Sequence, residues 1–491
     1  MAGRSEPNPR NLVRVEGVDR TFHRGRILFV LMLPLFASML AVSAINVALP
    51  TINAGLGATS TDLQWLLAGY ALAFGVLQIP AGRLGDVTGR GMWFVVGLAV
   101  FTLSSLACAL APDPLVLNAF RLVQGLGAGI FMPQTTGMIQ QYFSGGGRAK
   151  AFGLFGITVS ASVAVGPLLT GTIISLFGER VGWRVSFLVN VPIGLVGIVL
   201  ALLWFPFETE RARRKERGVR PRIDLDPVGA VLVTGAAFSL MWPFMAHGGP
   251  ATWLVLPVGV VLLWVWVLWE RRYLARGGDP MVDLALFRFR SFSVQTGVSA
   301  LLMLGATSVF VTVALFMQNG LHMSAFATGL IGLPNAVVSA VAAWWSGRHA
   351  MAHGRRIVVA GLLSHVVGTL GTLGVIAATA YGLSAWWLLV TLAFGGLGMG
   401  LIGSANQTLS MSDVPRHNGG TAGGVKSTAE RVATAMGNAT MTAVFFSVTA
   451  AAGHRTGAVA TLAVIATIVG CSLLLASLDL RHERTAAPAG R

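Results

Sequence analysis

Three ionisable side chains lie close together inside an otherwise apolar stretch, Gly423 to Thr449. They are Lys426, Glu430 and Arg431. Lys426 and Glu430 are four residues apart, so on a helix they share one face and can form an ion pair. A carboxyl group in an apolar environment can gain or lose a proton as its neighbours change. The pattern predicts that Glu430, tuned by Lys426 or Arg431, carries protons or binds a charged substrate group. The alternative is a structural ion pair near a helix end.

The segment GRLGDVTGR, Gly82 to Arg90, has the chemistry of a contact that can break and re-form. Gly82 and Gly89 permit a tight turn between two apolar runs. Asp86 can accept hydrogen bonds from helix N-termini or pair with Arg90. We predict a conformational latch here and include Asp86 among the proton-coupling candidates, the alternative being a static loop.

Two further features predict helix contacts within apolar runs. Arg121 is a cation followed by glycines at helical spacing, and a charge in such a position is costly unless it has a function. In SVAVGPLLTG, small residues spaced four apart favour close helix packing, and Pro167 frees a backbone carbonyl. We predict a role in proton coupling for Arg121 and a hinge or seal at Gly166, Pro167 and Gly171.

Uncharged polar side chains recur in the same runs and are candidates to line a central cavity, although each can instead hydrogen-bond a neighbouring helix. These candidates are Asn46, Tyr70, Gln78, Gln124, Gln134, Gln318, Asn335, Asn406 and Gln407. A lone histidine inside an apolar helix more often hydrogen-bonds a neighbouring helix than relays protons, and we expect the same of His365. No spacing typical of a metal site or a catalytic triad occurs, so we expect no enzyme activity, no metal and no cofactor.

The elements that carry these residues are fourteen apolar runs, each long enough to cross about 30 Å of hydrocarbon as a helix. Hydrophobic residues make up 54% of the chain and charged residues 11%, which excludes an ordinary soluble protein. Of 35 Lys and Arg residues, 29 fall in alternate loops and the two tails. This asymmetry predicts a multi-pass protein of the cytoplasmic membrane with both termini in the cytoplasm. It argues against nucleic-acid binding, which needs a basic exposed domain.

An internal repeat divides the chain into two units. GRHAMAHGR, Gly347 to Arg355, matches GRLGDVTGR at four positions, but Met351 stands where the first copy has Asp86, so any gate is asymmetric. Parallel repeats build the two bundles of many transporters. The predicted organisation is a cytoplasmic tail expected to be disordered (1–26), a six-helix bundle (27–207), a basic linker suited to anionic lipid (208–227), two extra transmembrane helices (228–270), a second linker (271–292), a second six-helix bundle (293–480) and a tail (481–491).

In these motifs the chain resembles the major facilitator superfamily, specifically its fourteen-helix drug:proton antiporter branch. Gly82 to Arg90 is similar to the family's cytoplasmic signature, Arg121 to its helix-four arginine and Ser162 to Gly171 to its antiporter signature. The segments Trp183 to Gly194 and Pro280 to Phe292 are similar to this branch in particular. The resemblance implies an all-α membrane fold of two six-helix bundles plus two helices.

The resemblance also implies export of drug- or antibiotic-like small molecules by alternating access, driven by proton influx. One departure keeps an alternative open: Ala41 stands where the family commonly has an Asp. An uncoupled facilitator or importer of an amphipathic or anionic solute is therefore the second hypothesis, and a membrane sensor that no longer transports is the third. Substrate identity and oligomeric state are not predicted.

Overall fold

The computed structural model describes residues 12–15, 18–207, 224–245 and 249–486. Its regular elements are, in chain order, β1 (Leu12–Val15), β2 (Val18–His23), α1 (Arg24–Leu56), α2 (Ser60–Val76), α3 (Gln78–Thr88), α4 (Arg90–Ala109), α5 (Pro114–Tyr142), α6 (Gly145–Leu188), α7 (Asn190–Trp204), α8 (Pro227–Met245), α9 (Val255–Ala275), α10 (Arg290–Leu315), α11 (Ala325–Ala378), α12 (Leu388–Ser410) and α13 (Gly419–Ala486). Short 3₁₀ or π turns lie at Pro250–Leu254, Leu284–Arg288, Phe316–Gly320, Thr379–Tyr381, Ala385–Trp387 and Arg416–Asn418.

Local chemistry sets several helix ends. Thr59 caps α2 through a capping box with Asp62, which satisfies two otherwise free N–H groups. Asp113 caps α5, and Pro114 occupies the first helical position, where a missing N–H costs nothing. Gly57 ends α1 in the left-handed conformation, with φ of 63°.

Two of the longest helices reverse direction at a glycine. At 1.5 Å per residue the 68 residues of α13 would span about 100 Å, far more than a bilayer. Gly178 in α6 (φ 77°, ψ 166°) and Gly453 in α13 (φ 84°, ψ 165°) leave the helical conformation. A Cβ on Gly182 would lie 2.6 Å from Cα of Ile174, so the chain packs back on itself.

The two reversals are copies of one another in sequence. Gly178 to Gly182 and Gly453 to Gly457 both read G-x-R-x-G. In the second copy, a Cβ on Gly457 would lie 2.8 Å from the carbonyl oxygen of Phe445. The same turn therefore closes a helical hairpin in each half of the molecule, a repeat that the sequence analysis missed. α11 contains a similar non-helical residue at His353 (φ −133°, ψ 19°).

The helices form two halves, each with its own hydrophobic core. Elements up to α7 supply most of one core and those from α10 onward supply the other. α8 and α9 pack on each other beside the first half, where the rings of Trp65 and Trp242 are 5.2 Å apart. Eleven helical stretches of the described residues are long and apolar enough to cross a membrane. Large outward-facing side chains such as Leu103 and Leu176 suit contact with lipid.

The segment before α1 differs from its prediction. β1 and β2 pair antiparallel, with Val13 opposite Phe22, and α1 begins at Arg24. The expectation of disorder is wrong for these residues, because Phe22 is buried in the first core. Residues 1–11, 16–17, 208–223, 246–248 and 487–491 lie outside the described part of the chain, and they include most of the predicted basic linker.

Candidate functional site

The two halves meet along a face of α13 that packs against α2 and α3, here called the α3–α13 seam. Its residues recur every four positions: Gly420, Gly424 and Thr428. A Cβ on Gly82 would overlap the carbonyl oxygen of Gly420, and a Cβ on Gly424 would overlap that of Gln78. The Thr428 hydroxyl donates to a main-chain carbonyl of α2 at 3.0 Å. Glycine lets the backbones approach so closely.

Asp86 binds the first turn of α13 at one end of this seam. Its carboxylate accepts hydrogen bonds from the N–H groups of Gly420 (3.0 Å) and Thr421 (2.8 Å) and from the Thr421 hydroxyl (2.9 Å). These N–H groups belong to the first turn of α13, where free donors and the helix dipole favour an anion. The same carboxylate forms an ion pair with Arg90 at 2.6 Å.

Arg90 extends the contact to two further segments. Its guanidinium donates to the carbonyl of Gly137 (2.8 Å) and the side chain of Gln141 (2.9 Å) on α5. It also donates to the carbonyls of Arg416 (2.8 Å) and His417 (3.2 Å), in the turn before α13. One buried cation therefore joins both halves, and its planar array of five donors suits that task.

A second seam joins α6 to α11. The backbones of Gly153 and Gly347 touch, and the hydroxyls of Ser160 and Ser339 are 3.1 Å apart. Gly82 and Gly347 are the first residues of the two copies of the repeat, so each copy contributes the glycine of one seam. The copies differ beyond this point, since Met351 is exposed and Arg355 pairs within its own half, with Asp479 and Glu483.

Both seams lie toward the end of the molecule where α1 begins and α13 ends, here called the terminal end. Hydrogen bonds made by five residues of the first half to the second half lie between that end and the middle of the helices. The residues of the first half are Gly75, Asp86, Arg90, Gln140 and Ser160. The molecule is therefore closed at its terminal end in this conformation.

A polar cavity of about 60 Å³ lies inside the α3–α13 seam. It is lined by Gln78, Met132, Pro133, Thr136, Phe155, Gln407, Gly423, Lys426, Ser427 and Glu430. A buried water occupies about 10–15 Å³ on this measure, so the cavity holds a few waters and is too small for a drug-sized ligand. Four side chains that the sequence singled out separately meet here.

Glu430 is the only acid of this cavity. One oxygen of its carboxylate lies 3.2 Å from the Lys426 ammonium and also accepts a hydrogen bond from the Ser299 hydroxyl. Lys426 in turn donates to the side-chain oxygen of Gln407. Gln78, on the opposite half, is buried, and neither end of its amide has a protein partner. The cavity therefore contains a carboxylate, a cation and, across the seam, an amide without a protein partner.

Two arginines, one from each half of the molecule, lie beside a pair of aromatic rings on α2. The guanidinium of Arg121 lies 4.5 Å from the Tyr70 ring and donates to Gln124 at 2.6 Å. The guanidinium of Arg431, from the other half, lies 4.5 Å from the Phe74 ring. Within the described residues, neither arginine has a carboxylate at ion-pair distance.

Comparison with known proteins decides the family. The model of the Major Facilitator Superfamily matches residues 31–438. This chain belongs to the major facilitator superfamily. Two solved superfamily structures share the fold at 15% identity: the human organic anion transporter MFSD10 (TETRAN), with a TM-score of 0.66 over 92% of this chain and 99% of that one, and the proton:xylose symporter XylE, with 0.64 over 93% and 95%.

Several relatives are exporters or resistance proteins. A probable actinorhodin transporter of Streptomyces coelicolor is 34% identical over 82% of this chain and 69% of its own length. The puromycin resistance protein pur8 of Streptomyces alboniger is 30% identical over 89% and 86%. The tetracenomycin C resistance and export protein of Streptomyces glaucescens is 29% identical over 81% and 71%. The protein is thus a multi-pass membrane transporter whose relatives act in antibiotic and multidrug resistance.

Several predicted site residues of this transporter lie away from the cavity. Gln134 donates to Ala81, Asn335 to Leu392 and Asn406 to Gln295, so each holds a neighbouring helix in this conformation. Asn46 and Gln318 are exposed.

Gly166 packs closely on Ser43, beside Pro167, whereas a Cβ on Gly171 would meet nothing within 4 Å. His365 bonds the carbonyl of Gly395 at 3.1 Å, and Gly89 ends α3 with φ of 123°.

The sequence analysis missed three polar residues of interest. Ser299 contacts Glu430 from a helix 131 residues away in sequence. Glu270 and Asp226 were assigned no role from the sequence. Both are buried at the ends of the two added helices. Neither had a signal in spacing, because the linker that brings them together is irregular.

Replacing Gly82 with alanine is expected to slow transport about tenfold, because the added methyl group overlaps the Gly420 carbonyl when the seam closes. Overpacking of this kind costs about 1–3 kcal/mol, and 1.4 kcal/mol is a factor of ten. The measurement is the efflux rate in proteoliposomes. Gly171→Ala is the matched control and should retain the wild-type rate, since its Cβ has open space. Equal rates for both variants would contradict the close approach.

Proposed function

We propose that this protein exports drug- or antibiotic-like small molecules across the cytoplasmic membrane by alternating access, coupled to proton influx, with both termini in the cytoplasm. The observation that carries the proposal is the closure of both seams at the terminal end, which leaves the other end as the route out. The superfamily works by rocking two bundles around a central site. The names of the exporting and resistance relatives support export as the direction.

The proposal includes fourteen transmembrane spans. Eleven helical stretches are long and apolar enough to cross a membrane, and three of them contain a non-helical residue in their interior: Gly178, His353 and Gly453. A reversal at each of these residues divides the three stretches into pairs of spans. Fourteen is an even number, as two cytoplasmic termini require.

Glu430 is the proposed proton carrier. In the closed seam its carboxylate pairs with Lys426 beside a cavity that holds a few waters. Protonation from the open side neutralises Glu430 and leaves Lys426 without its counter-charge in the cavity beside the seam, which disfavours the closed conformation. The seam then opens, and the proton leaves to the cytoplasm. The alternative role, a structural pair, predicts no change in coupling when Glu430 loses its charge.

The two arginines bear on the charge of the substrate. Arg121 and Arg431 add two positive charges near the centre of the molecule without a carboxylate at ion-pair distance in the described residues. Charges of the same sign repel strongly where water is excluded. We therefore propose neutral or anionic substrates that carry apolar surface and disfavour lipophilic cations. Ala41, which cannot exchange a proton, keeps uncoupled facilitation as the second candidate.

A reversible cross-link across the second seam tests alternating access. Ser160 and Ser339 are close enough, at 3.1 Å between hydroxyl oxygens, for a disulfide after replacement of both by cysteine. In a background without Cys108 and Cys471, oxidation should abolish transport and reduction should restore it. Each single cysteine variant is the control and should be insensitive to the oxidant. Full transport by the cross-linked protein would disprove the proposal.

A further inference from the structure

The two added helices end in a buried acidic pocket at the terminal end. Asp226 directly precedes α8, has φ of 40° and is fully buried. Its carboxylate accepts hydrogen bonds from the N–H of Gly229 (2.9 Å), the indole of Trp269 (2.8 Å) and the N–H of Met281 (3.3 Å). A non-glycine residue with positive φ is strained, and three donors held in place offset that cost. The pocket is therefore a built feature of the α8–α9 hairpin.

Glu270 enters the same pocket without a partner of its own. It is 1% exposed, and neither oxygen of its carboxyl group has a hydrogen bond. A Cβ on Gly229 would touch a carboxyl oxygen of both Asp226 and Glu270, so the two groups face each other across that glycine. The indole N–H of Trp266 and the main-chain N–H groups of Met281 and Val282 lie near the Glu270 carboxyl group, but none completes a hydrogen bond with it.

Two ionised carboxylates cannot share such a pocket at low cost. Burial without compensating donors penalises a charge by several kcal/mol, and a second charge of the same sign adds repulsion. One proton held between the groups removes both costs, because a protonated carboxyl can donate to its ionised neighbour. Asp226 already has three N–H donors, so Glu270 is the group that holds the proton.

The other charged groups around the pocket have partners. Asp224 accepts hydrogen bonds from the Tyr273 hydroxyl (2.6 Å) and the N–H of Asp279 (3.0 Å). Burial raises the pKa of Asp224, but these bonds, a bond from Asp226 and the charge of Arg83 outweigh it, so the pKa lies below its usual value. Asp224 is therefore ionised at neutral pH and does not hold the proton.

Arg83 connects this pocket to the α3–α13 seam. It forms an ion pair with Asp279 and donates to that residue's carbonyl at 3.4 Å. Asp279 precedes Met281, whose N–H binds Asp226. On the other side, Arg83 follows Gly82, the glycine that packs on Gly420. Met281, which binds the pocket, is thus two residues from Asp279, the ion-pair partner of Arg83. Arg83 is in turn next to Gly82, which contacts Gly420 in the seam.

We propose that Asp226 and Glu270 form a second proton-binding site, independent of Glu430, that controls closure of the α3–α13 seam. With the proton bound, the 279–282 segment stays packed and Asp279 holds Arg83 in place. Loss of the proton from Glu270 to water leaves two ionised carboxylates in one buried pocket. Their repulsion opens the pocket, frees Asp279 and weakens the seam. Low pH therefore stabilises the closed seam, and closure is lost as pH rises.

Distance measurements by pulsed electron paramagnetic resonance test this site without any substrate. Spin labels at Met92→Cys and Ser412→Cys, two exposed positions on opposite halves at the terminal end, report closure in nanodiscs. For one linked proton the ratio of closed to open molecules should fall up to about tenfold per pH unit. Glu270→Gln, which mimics the protonated acid, should stay closed at every pH. The exposed control Glu179→Gln should keep the wild-type dependence.

A Glu270→Gln protein that follows the wild-type pH curve would overturn the proposal. If that variant does not fold, infrared spectroscopy of the Glu430→Gln protein decides instead. A C=O stretching band of a protonated carboxyl group at neutral pH that disappears at high pH supports the proposal. The absence of this band at neutral pH overturns the proposal. Since neither readout involves transport, a correct pH response in a protein that moves no substrate would count against the proposed function alone.

Discussion

Replacing Glu430 with glutamine is expected to abolish proton-driven accumulation of substrate. Glutamine keeps the size of the side chain and can still hydrogen-bond Ser299 and Lys426, but it cannot exchange a proton. One proton moving down 100 mV supplies about 2.3 kcal/mol, which sustains about a 50-fold gradient of a neutral substrate. In proteoliposomes the variant should reach only equal concentrations on both sides, while downhill exchange of substrate continues.

The control separates coupling from folding. Glu179→Gln removes an exposed carboxylate beside the turn at Gly178 and should leave the gradient unchanged. If Glu430→Gln accumulates substrate as the wild type does, the Lys426–Glu430 pair is structural and coupling resides elsewhere.

Replacing Asp86 with alanine is expected to reduce transport at least about 100-fold. The change removes three hydrogen bonds to Gly420 and Thr421 and leaves the buried Arg90 without its anion. Breaking one partner of a buried ion pair costs about 3–5 kcal/mol, and 1.4 kcal/mol is a factor of ten. The closed conformation should lose most of its population, so the cycle stalls with the terminal end open.

Thiol labelling measures that shift directly. A cysteine at Ser427, which lines the closed cavity, should react faster from the cytoplasmic side in Asp86→Ala than in the wild type. Met351→Ala is the matched control, because Met351 occupies the equivalent position of the second repeat and is exposed. Unchanged labelling in Asp86→Ala, or an equal change in both variants, would remove Asp86 from the gate.

The parts of the site that depend on local spacing could be predicted from the sequence. The i, i+4 relation places Lys426 beside Glu430 on any helix, and the structure has them 3.2 Å apart. The apolar runs predict the helices, because a helix that crosses a bilayer needs about 20 apolar residues. The position of Asp86 between two glycines indicated an acceptor for a helix N-terminus, and it accepts from the first turn of α13. Its role as a gate stays a prediction.

The parts that depend on distant contacts could not be predicted. Thr428 meets Gly75 across 353 residues, and only the packing of the two halves brings Gln78 to the cavity of Glu430. Asp226 and Glu270 meet because the irregular 276–289 segment folds over them, and no periodicity describes such a segment. The pairing of β1 with β2 was missed because polar residues interrupt its apolar positions.

Uphill transport by the wild-type protein in proteoliposomes is the most direct test of the central claim, proton-coupled export. With an imposed proton gradient, a panel of cationic, neutral and anionic aromatic compounds is supplied at equal concentration on both sides. We expect neutral or anionic compounds to accumulate against their gradient, up to about 50-fold per proton at 100 mV, and a protonophore to collapse the gradient. Movement of every compound only to equal concentrations, with or without the protonophore, would contradict the claim.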